Sequence, residues 1–171
     1  MKYTIIGIDP GASGGIAIYD NENIEAFKIP KASIDLNDKF AYIKDNFENP
    51  LVFLEKVSHF AGAADDAPGK KFAIATMMKG YTMLKTLLET NRLPYCEVHP
   101  ATWQTALIKR IKGESKQIRK NRYKALAQEN YTEIKVTLYN ADALCLVIFG
   151  RIKVLNDWYW IEDRLIGKIQ N

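Results

Sequence analysis

The run Ile5-Ile6-Gly7-Ile8-Asp9-Pro10-Gly11-Ala12-Ser13-Gly14-Gly15-Ile16-Ala17 decides how the chain begins to fold, because a carboxylate stands where an apolar stretch ends and glycines begin. Residues 3–8 read as a buried strand and 16–19 as a second one, so Gly14-Gly15 turn the chain back as a hairpin beside Asp9. An acid at such a strand end faces out of the sheet and is placed to meet a metal or a phosphate. The plainer alternative is a hairpin whose first strand happens to end in Asp.

Working outward, strand patterns cover residues 3–9, 14–20 and 24–29, with Asp20-Asn21-Glu22-Asn23 as the turn between the last two, and this predicts an antiparallel meander. Leu36, Phe40, Ile43 and Phe47 then recur at helical spacing over 37–47, with Asn37 available as the N-cap. Leu51-Val52-Phe53-Leu54 is the next strand and runs straight into Glu55. A loop rich in Gly, Ala and Asp spans His59 to Lys71, followed by a helix over 72–91. That helix has one apolar row at Ile74, Met77, Tyr81, Leu84 and Leu88 and another at Ala73, Gly80, Met83 and Leu87. A helix apolar on two sides is either buried or shared with a partner.

Residues 95–98 form a short strand, and His99-Pro100-Ala101-Thr102-Trp103-Gln104 opens another helix with Pro100 in its first turn. After Gly113, residues 115–130 read as a basic helix with Ser115 as N-cap and Lys116, Lys120 and Lys124 in an i, i+4, i+8 stripe. The last long helix, 141–154, is apolar apart from Asp142 and its basic end, so Asp142 belongs at the helix start, close to a cation or a hydrogen-bond donor. A simple charge-and-capping role there is the alternative. The aromatic tail from Asn156, with Trp158, Tyr159 and Trp160, is expected to pack across the domain.

Composition narrows the class. At 171 residues, with 47% hydrophobic and 26% charged side chains, the chain suits one well-buried domain, 1–171, and shows neither repeat nor low-complexity tract. No apolar run approaches the roughly 18 residues of a membrane span, and the N-terminus has no signal-peptide pattern, so a cytoplasmic protein is expected. Cys96 and Cys145 have no metal or redox spacing and are expected to be reduced core residues. The net charge is only +4, yet Lys109, Arg110, Lys112, Lys116, Arg119, Lys120, Arg122 and Lys124 face a single acid, Glu114, within one segment, which leaves the rest of the chain net acidic. One dense basic segment on an acidic body fits a polyanion docked at a defined place; a solvated lysine-rich helix face is the bland alternative.

Asp9, Glu55 and Asp142 thus mark three separate element ends. Hard divalent ions such as Mg²⁺ or Mn²⁺ take carboxylate oxygens, and two of them roughly 4 Å apart stabilise both oxygens exchanged in phosphodiester hydrolysis. Three strands, a helix, a strand, a helix and a further strand, with acids at these positions, describe a ribonuclease H-like α/β fold: a five-stranded mixed sheet, antiparallel meander then parallel strands, flanked by helices.

The chain resembles the RuvC family of Holliday junction resolvases, especially its compact phage-type branch. The matching pieces are Ile6-Gly7-Ile8-Asp9-Pro10-Gly11-Ala12-Ser13-Gly14-Gly15, Phe53-Leu54-Glu55-Lys56-Val57, Val98-His99-Pro100-Ala101-Thr102-Trp103-Gln104 and Asn140-Ala141-Asp142-Ala143-Leu144, so the resemblance spans 1–154, with 155–171 as an extension. It implies that Asp9, Glu55 and Asp142 bind two Mg²⁺ or Mn²⁺ ions and hydrolyse DNA phosphodiesters in four-way or other branched junctions. The family usually has a fourth acid three or four positions before the last Asp, where this chain has Tyr139 and Leu138; Asn140 is the nearest polar candidate for that metal ligand, with a weaker neutral amide. The resemblance also implies a basic residue near the scissile phosphate, Lys116 ahead of Lys112.

DNA contacts are expected from Lys109, Arg110, Lys112, Lys116, Arg119, Lys120 and Lys124, and from Phe60, which either stacks on an unpaired base or folds back on the core. His59 and His99 read as surface or capping residues. RuvC-like resolvases act as homodimers, which implies an interface on helix 72–91. A ribonuclease H-fold RNA-processing nuclease would use the same acids, and a branched-DNA-binding protein with weakened catalysis would explain the missing fourth one. An actin-like or sugar-kinase ATPase needs a second phosphate-loop domain, for which the length leaves little room.

Overall fold

The computed structural model describes residues 2–11, 14–57 and 68–167. The apolar run after Tyr3 becomes β1 (Thr4–Ile8), and the meander continues through β2 (Gly15–Asp20) and β3 (Asn23–Lys28). Then follow α1 (Ser33–Asn46), β4 (Pro50–Glu55), α2 (Pro68–Thr90), β5 (Tyr95–Val98), α3 (Pro100–Leu107), α4 (Lys116–Asn130), α5 (Ala141–Asn156), α6 (Trp158–Glu162) and β6 (Leu165–Ile166).

The described strands form one mixed sheet in the order β3-β2-β1-β4-β5-β6. β1 is antiparallel to β2 and parallel to β4, and β4 is parallel to β5. The sheet has six strands where the sequence predicts five. The extra one, β6, pairs antiparallel with β5 through Tyr95–Ile166 and Cys96–Leu165, and a two-residue strand is too short to carry a periodic signal.

Period-two alternation sorts the side chains onto two faces. Ile6, Ile8, Val52 and Leu54 pack with Leu36, Phe40 and Ile43 of α1 and with Tyr81, Leu84 and Leu88 of α2. Ile5, Leu51, Phe53, Cys96 and Val98 pack on the other face with Trp103, with Tyr123 and Ala127 of α4, and with α5. Along α5 everything from Ala143 to Gly150 is buried. Both cysteines are free thiols in the core, and no described helix is long and apolar enough to cross a membrane.

Two helix starts come earlier than the periodicity reading places them, that of α1 and that of α2, which begins at Pro68 instead of 72. α1 starts at Ser33 instead of 37, because its cap residue Ala32 makes no side-chain hydrogen bond and its first turn carries no apolar repeat. Asn37, expected as the cap, lies inside the helix and accepts a hydrogen bond from Asn91. The aromatic tail is part of the fold: Trp158 stacks on Tyr3 with centroids 5.1 Å apart, Trp160 packs edge-on to Phe149 at 5.3 Å, and Ile161 is fully buried.

What sets α5 against the sheet is the absence of a side chain at residue 7. A Cβ there would lie 2.1 Å from the Ala143 carbonyl oxygen and 3.0 Å from the Leu146 Cβ. A methyl group therefore cannot enter unless the helix backbone moves away. Overpacking of this kind costs roughly 1–3 kcal/mol, so Gly7→Ala is expected to lower the melting temperature by about 3–10 °C in thermal denaturation. A variant that melts with the parent would show that α5 is not held this close to β1.

Candidate active site

Asp9 follows β1 directly and Glu55 ends β4. Ile8 pairs with Leu54 in the parallel register, so the two acids occupy adjacent positions on neighbouring strands, which lie about 4.8 Å apart. Both fall on the α5 side of the sheet, the side of Ile5, Leu51 and Phe53. Asp142 arrives in the first turn of α5, lowered onto the sheet by the contact at Gly7. A second small residue completes the fit, since a Cβ on Gly15 would sit 2.8 Å from the Tyr139 carbonyl oxygen.

The electrostatics show that the three acids share one environment. Burial raises the Asp9 carboxyl above the ordinary range, against the opposing pull of the Gly11 amide and the Lys120 charge. Burial and then the charge of Asp9 push Glu55 up to about 8, with a smaller contribution from Asp142. Burial and Asp9 bring Asp142 to about 6. Asp9 is therefore the central member, felt by both others. Two oxygens are already oriented: the Gly11 amide donates to Asp9 Oδ1 at 2.9 Å, and the Trp103 indole N–H donates to Glu55 Oε2 at 2.7 Å.

Among the described residues, however, no three His, Cys, Asp or Glu side chains close into a ready-made metal cluster. The acids are near enough to repel one another without converging on one point. That arrangement fits a hard ion such as Mg²⁺, which takes one or two carboxylates, keeps several waters and completes its shell with substrate phosphate.

Asn140 does not fit the ligand role expected of it. It is 2% exposed, its Oδ1 accepts from both the backbone amide (2.7 Å) and the hydroxyl (3.2 Å) of Thr137, and its Nδ2 donates to the Lys135 carbonyl. Both oxygen lone pairs are engaged in building the turn before α5. Tyr139, in one of the places where the fourth acid was looked for, lines a different cavity.

Of the basic residues, Lys116, Arg119 and Lys120 line a cavity of about 210 Å³ together with Asp142, Gln104 and Tyr123. Lys120 is the lysine whose charge acts on all three acids, and Lys116, the residue the resemblance points to, lines the same cavity beside Asp142. The stripe 116/120/124 has one helical spacing throughout, so only the tertiary position of α4 distinguishes its members. Lys109, Arg110 and Lys112 are exposed in the connection between α3 and α4. Arg122 is paired with the nearly buried Glu114 at 2.8 Å and also donates to the Lys109 carbonyl, which ties that connection to α4. His99 caps α3, accepting from the Ala101 amide. Phe60 and His59 lie outside the described residues. Trp103 was missed as a site residue; its indole donor, the one fully buried side chain of α3, has no local pattern that marks it.

No family model matches the chain, and no curated protein does. Among solved structures, the fold is similar to Thermus thermophilus RuvC in complex with a Holliday junction substrate: TM-score 0.56, 12% identity, covering 91% of this chain and 96% of that one. A second Thermus thermophilus RuvC structure matches with TM-score 0.53 and 12% identity over 96% of this chain and 99% of the other. The chain has the ribonuclease H-like fold of RuvC.

The elevated Glu55 carboxyl has a consequence for stability. Its folded pKa of about 8 exceeds the ordinary 4.5, so the folded state holds a proton that the unfolded chain releases. Stability falls as pH rises from about 4.5 to about 8 and levels off above. Glu55→Gln keeps an acceptor for Trp103 and removes the ionisation. In chelator at pH 8.5 it is expected to melt about 3–6 °C above the parent, with the gap closing at pH 4. A gap independent of pH would contradict the assigned repulsion.

Proposed function

We propose that the chain is a divalent-metal-dependent, structure-selective DNA endonuclease that hydrolyses phosphodiester bonds in Holliday junctions or other branched DNA. The observation that carries this reading is the assembly of Asp9, Glu55 and Asp142 into one electrostatically coupled set facing Lys120. It is supported by a fold shared with a RuvC solved on a Holliday junction substrate.

Asp9, with Glu55 on one side and Asp142 on the other, would hold Mg²⁺ or Mn²⁺, two ions if Asp9 is shared. The chemistry such an ion supplies when bound is charge stabilisation on the phosphate oxygens and a lowered pKa for a water nucleophile. The chain's own groups do the rest. Trp103 and Gly11 fix one oxygen each of Glu55 and Asp9 and leave the second oxygen of each for the ion. Burial and the neighbouring acids favour the protonated form of Glu55 at neutral pH, and a bound cation would favour its ionised form. Lys116, Arg119 and Lys120 meet the phosphate beside Asp142, and Lys109, Arg110, Lys112 and Lys124 extend the basic track. Neutralising successive phosphates gives salt-sensitive affinity without sequence preference.

A homodimer through α2 belongs to this reading, because a four-way junction presents two equivalent strands to a twofold pair of sites. Supporting it, Phe72 and Met77 of α2 are exposed. The reading extends to a compact phage-type member acting in the cytoplasm.

A second reading, a branched-DNA-binding protein with weakened catalysis, is favoured by Tyr139 in the fourth-acid region and by the engaged amide of Asn140. Cleavage of a labelled four-way junction in Mg²⁺ or Mn²⁺ separates the two. Asp9→Asn or Asp142→Asn is expected to reduce nicking at least about 100-fold with junction affinity retained, while Lys124→Ala lowers the salt slope of binding by about 1. Tight junction binding with no nick at any metal concentration would overturn the nuclease reading in favour of the binder.

A further inference from the structure

Beside the acids lies a larger cavity, about 770 Å³, between the end of β3, the Asp9 turn, α2 and the turn before α5. Its volume is that of a pocket for a drug- or nucleotide-sized ligand, ~300–1,000 Å³. Lys28, Lys31 and Lys120 line it, and its described lining contains no acid. Ile29, Pro30, Met83 and Leu84 supply aliphatic walls. Tyr139 adds an aromatic ring, with the Lys28 ammonium 5.3 Å from the ring centroid. Leu138, next to it, also lines the cavity and is 53% exposed.

Cations for a phosphate, a flat ring for stacking and aliphatic walls for a base edge occur together here, and no acid stands among the described lining residues. The cavity neighbours the acids: Lys120 lines both it and the smaller cavity at Asp142, and Pro10–Gly11, which follow Asp9 directly, line it too. We infer that this cavity is a subsite for one unpaired nucleotide of DNA next to the scissile phosphate, with Tyr139 as the stacking platform for its base and Lys28 and Lys31 holding its phosphate. The inference rests on the nuclease reading for its position relative to the cut. A paired base cannot leave its duplex without an unstacking penalty, so the subsite favours DNA whose strands are already opened, as at a branch point. Because every base has a π-face, the selection is for unpairedness and not for sequence.

The test uses the full chain in chelator, so that no cleavage is involved, and a single-stranded octanucleotide carrying 2-aminopurine. Binding is followed by anisotropy, stacking by quenching of the 2-aminopurine emission, and the same probe annealed to its complement serves as control. The parent is expected to bind the single strand with quenching. Tyr139→Ala should lose the quenching and about tenfold in affinity, as expected for a lost base–aromatic stack, while binding the duplex like the parent. Tyr139→Phe should restore both signals, and Lys28→Ala should weaken binding with a salt slope smaller by about 1. Equal affinity and equal quenching for Tyr139→Ala and the parent would overturn the inference, as would a parent that binds duplex more tightly than single strand. Failure of the nuclease reading has a different signature: no junction nicking, with the Tyr139-dependent quenching intact.

Discussion

Between β1 and α5 at residue 7 there is room for a hydrogen atom and nothing larger, and the candidate site depends on that contact. Packed layers of secondary structure normally stand about 8–10 Å apart, separated by intervening side chains. Here a backbone carbonyl of α5 meets the strand itself, so the first turn of the helix sits low enough for its carboxylate to join two that project from strand ends. The buried stretch from Ala143 to Gly150 supplies the apolar adhesion that keeps the helix in place. The same contact therefore serves packing and chemistry at once.

The opposing force is the repulsion among the acids. Three carboxylates withdrawn from water and facing one another are unfavourable in the ionised state, and the scaffold tolerates them because their neighbours are organised. Trp103 is locked edge-on against Tyr123 at 5.1 Å, and the Tyr123 hydroxyl donates to the Gln104 carbonyl, so the indole that bonds Glu55 has little freedom to turn away. The turn before α5 is pinned by two side-chain amides: Gln128 spans Tyr131, Ile134 and Val136, and Asn140 spans Thr137 and Lys135. Such local consistency is what allows a fold to keep a locally unfavourable charge arrangement.

How much of this was legible in the sequence follows from the range of the signal involved. Asp9 and Glu55 were readable because each ends an apolar strand, and the parallel register then aligns them without further information. Asp142 was readable as a lone acid in an apolar helix. The rest required tertiary position: Lys120 carries the same local pattern as Lys116 and Lys124, and the bond from Trp103 to Glu55 spans 48 residues. Asn140 looked like a weak ligand because composition cannot reveal that its oxygen is already doubly engaged. The start of α1 was misplaced because the helix is entered without a side-chain cap, leaving apolar spacing as the available guide.

The short strand at the end of the described chain has one more implication. By lying along β5, Leu165 and Ile166 occupy backbone donors and acceptors that would otherwise face outward, and Trp160, packed on Phe53 and Phe149, anchors the helix just before them. Unpaired strand margins recruit other chains. The opposite margin, β3, presents the exposed charges of Glu25 and Lys28, which discourage such recruitment. With β6 in place, the margin beyond β5 of the described sheet is a strand of two residues, too short to template a long pairing.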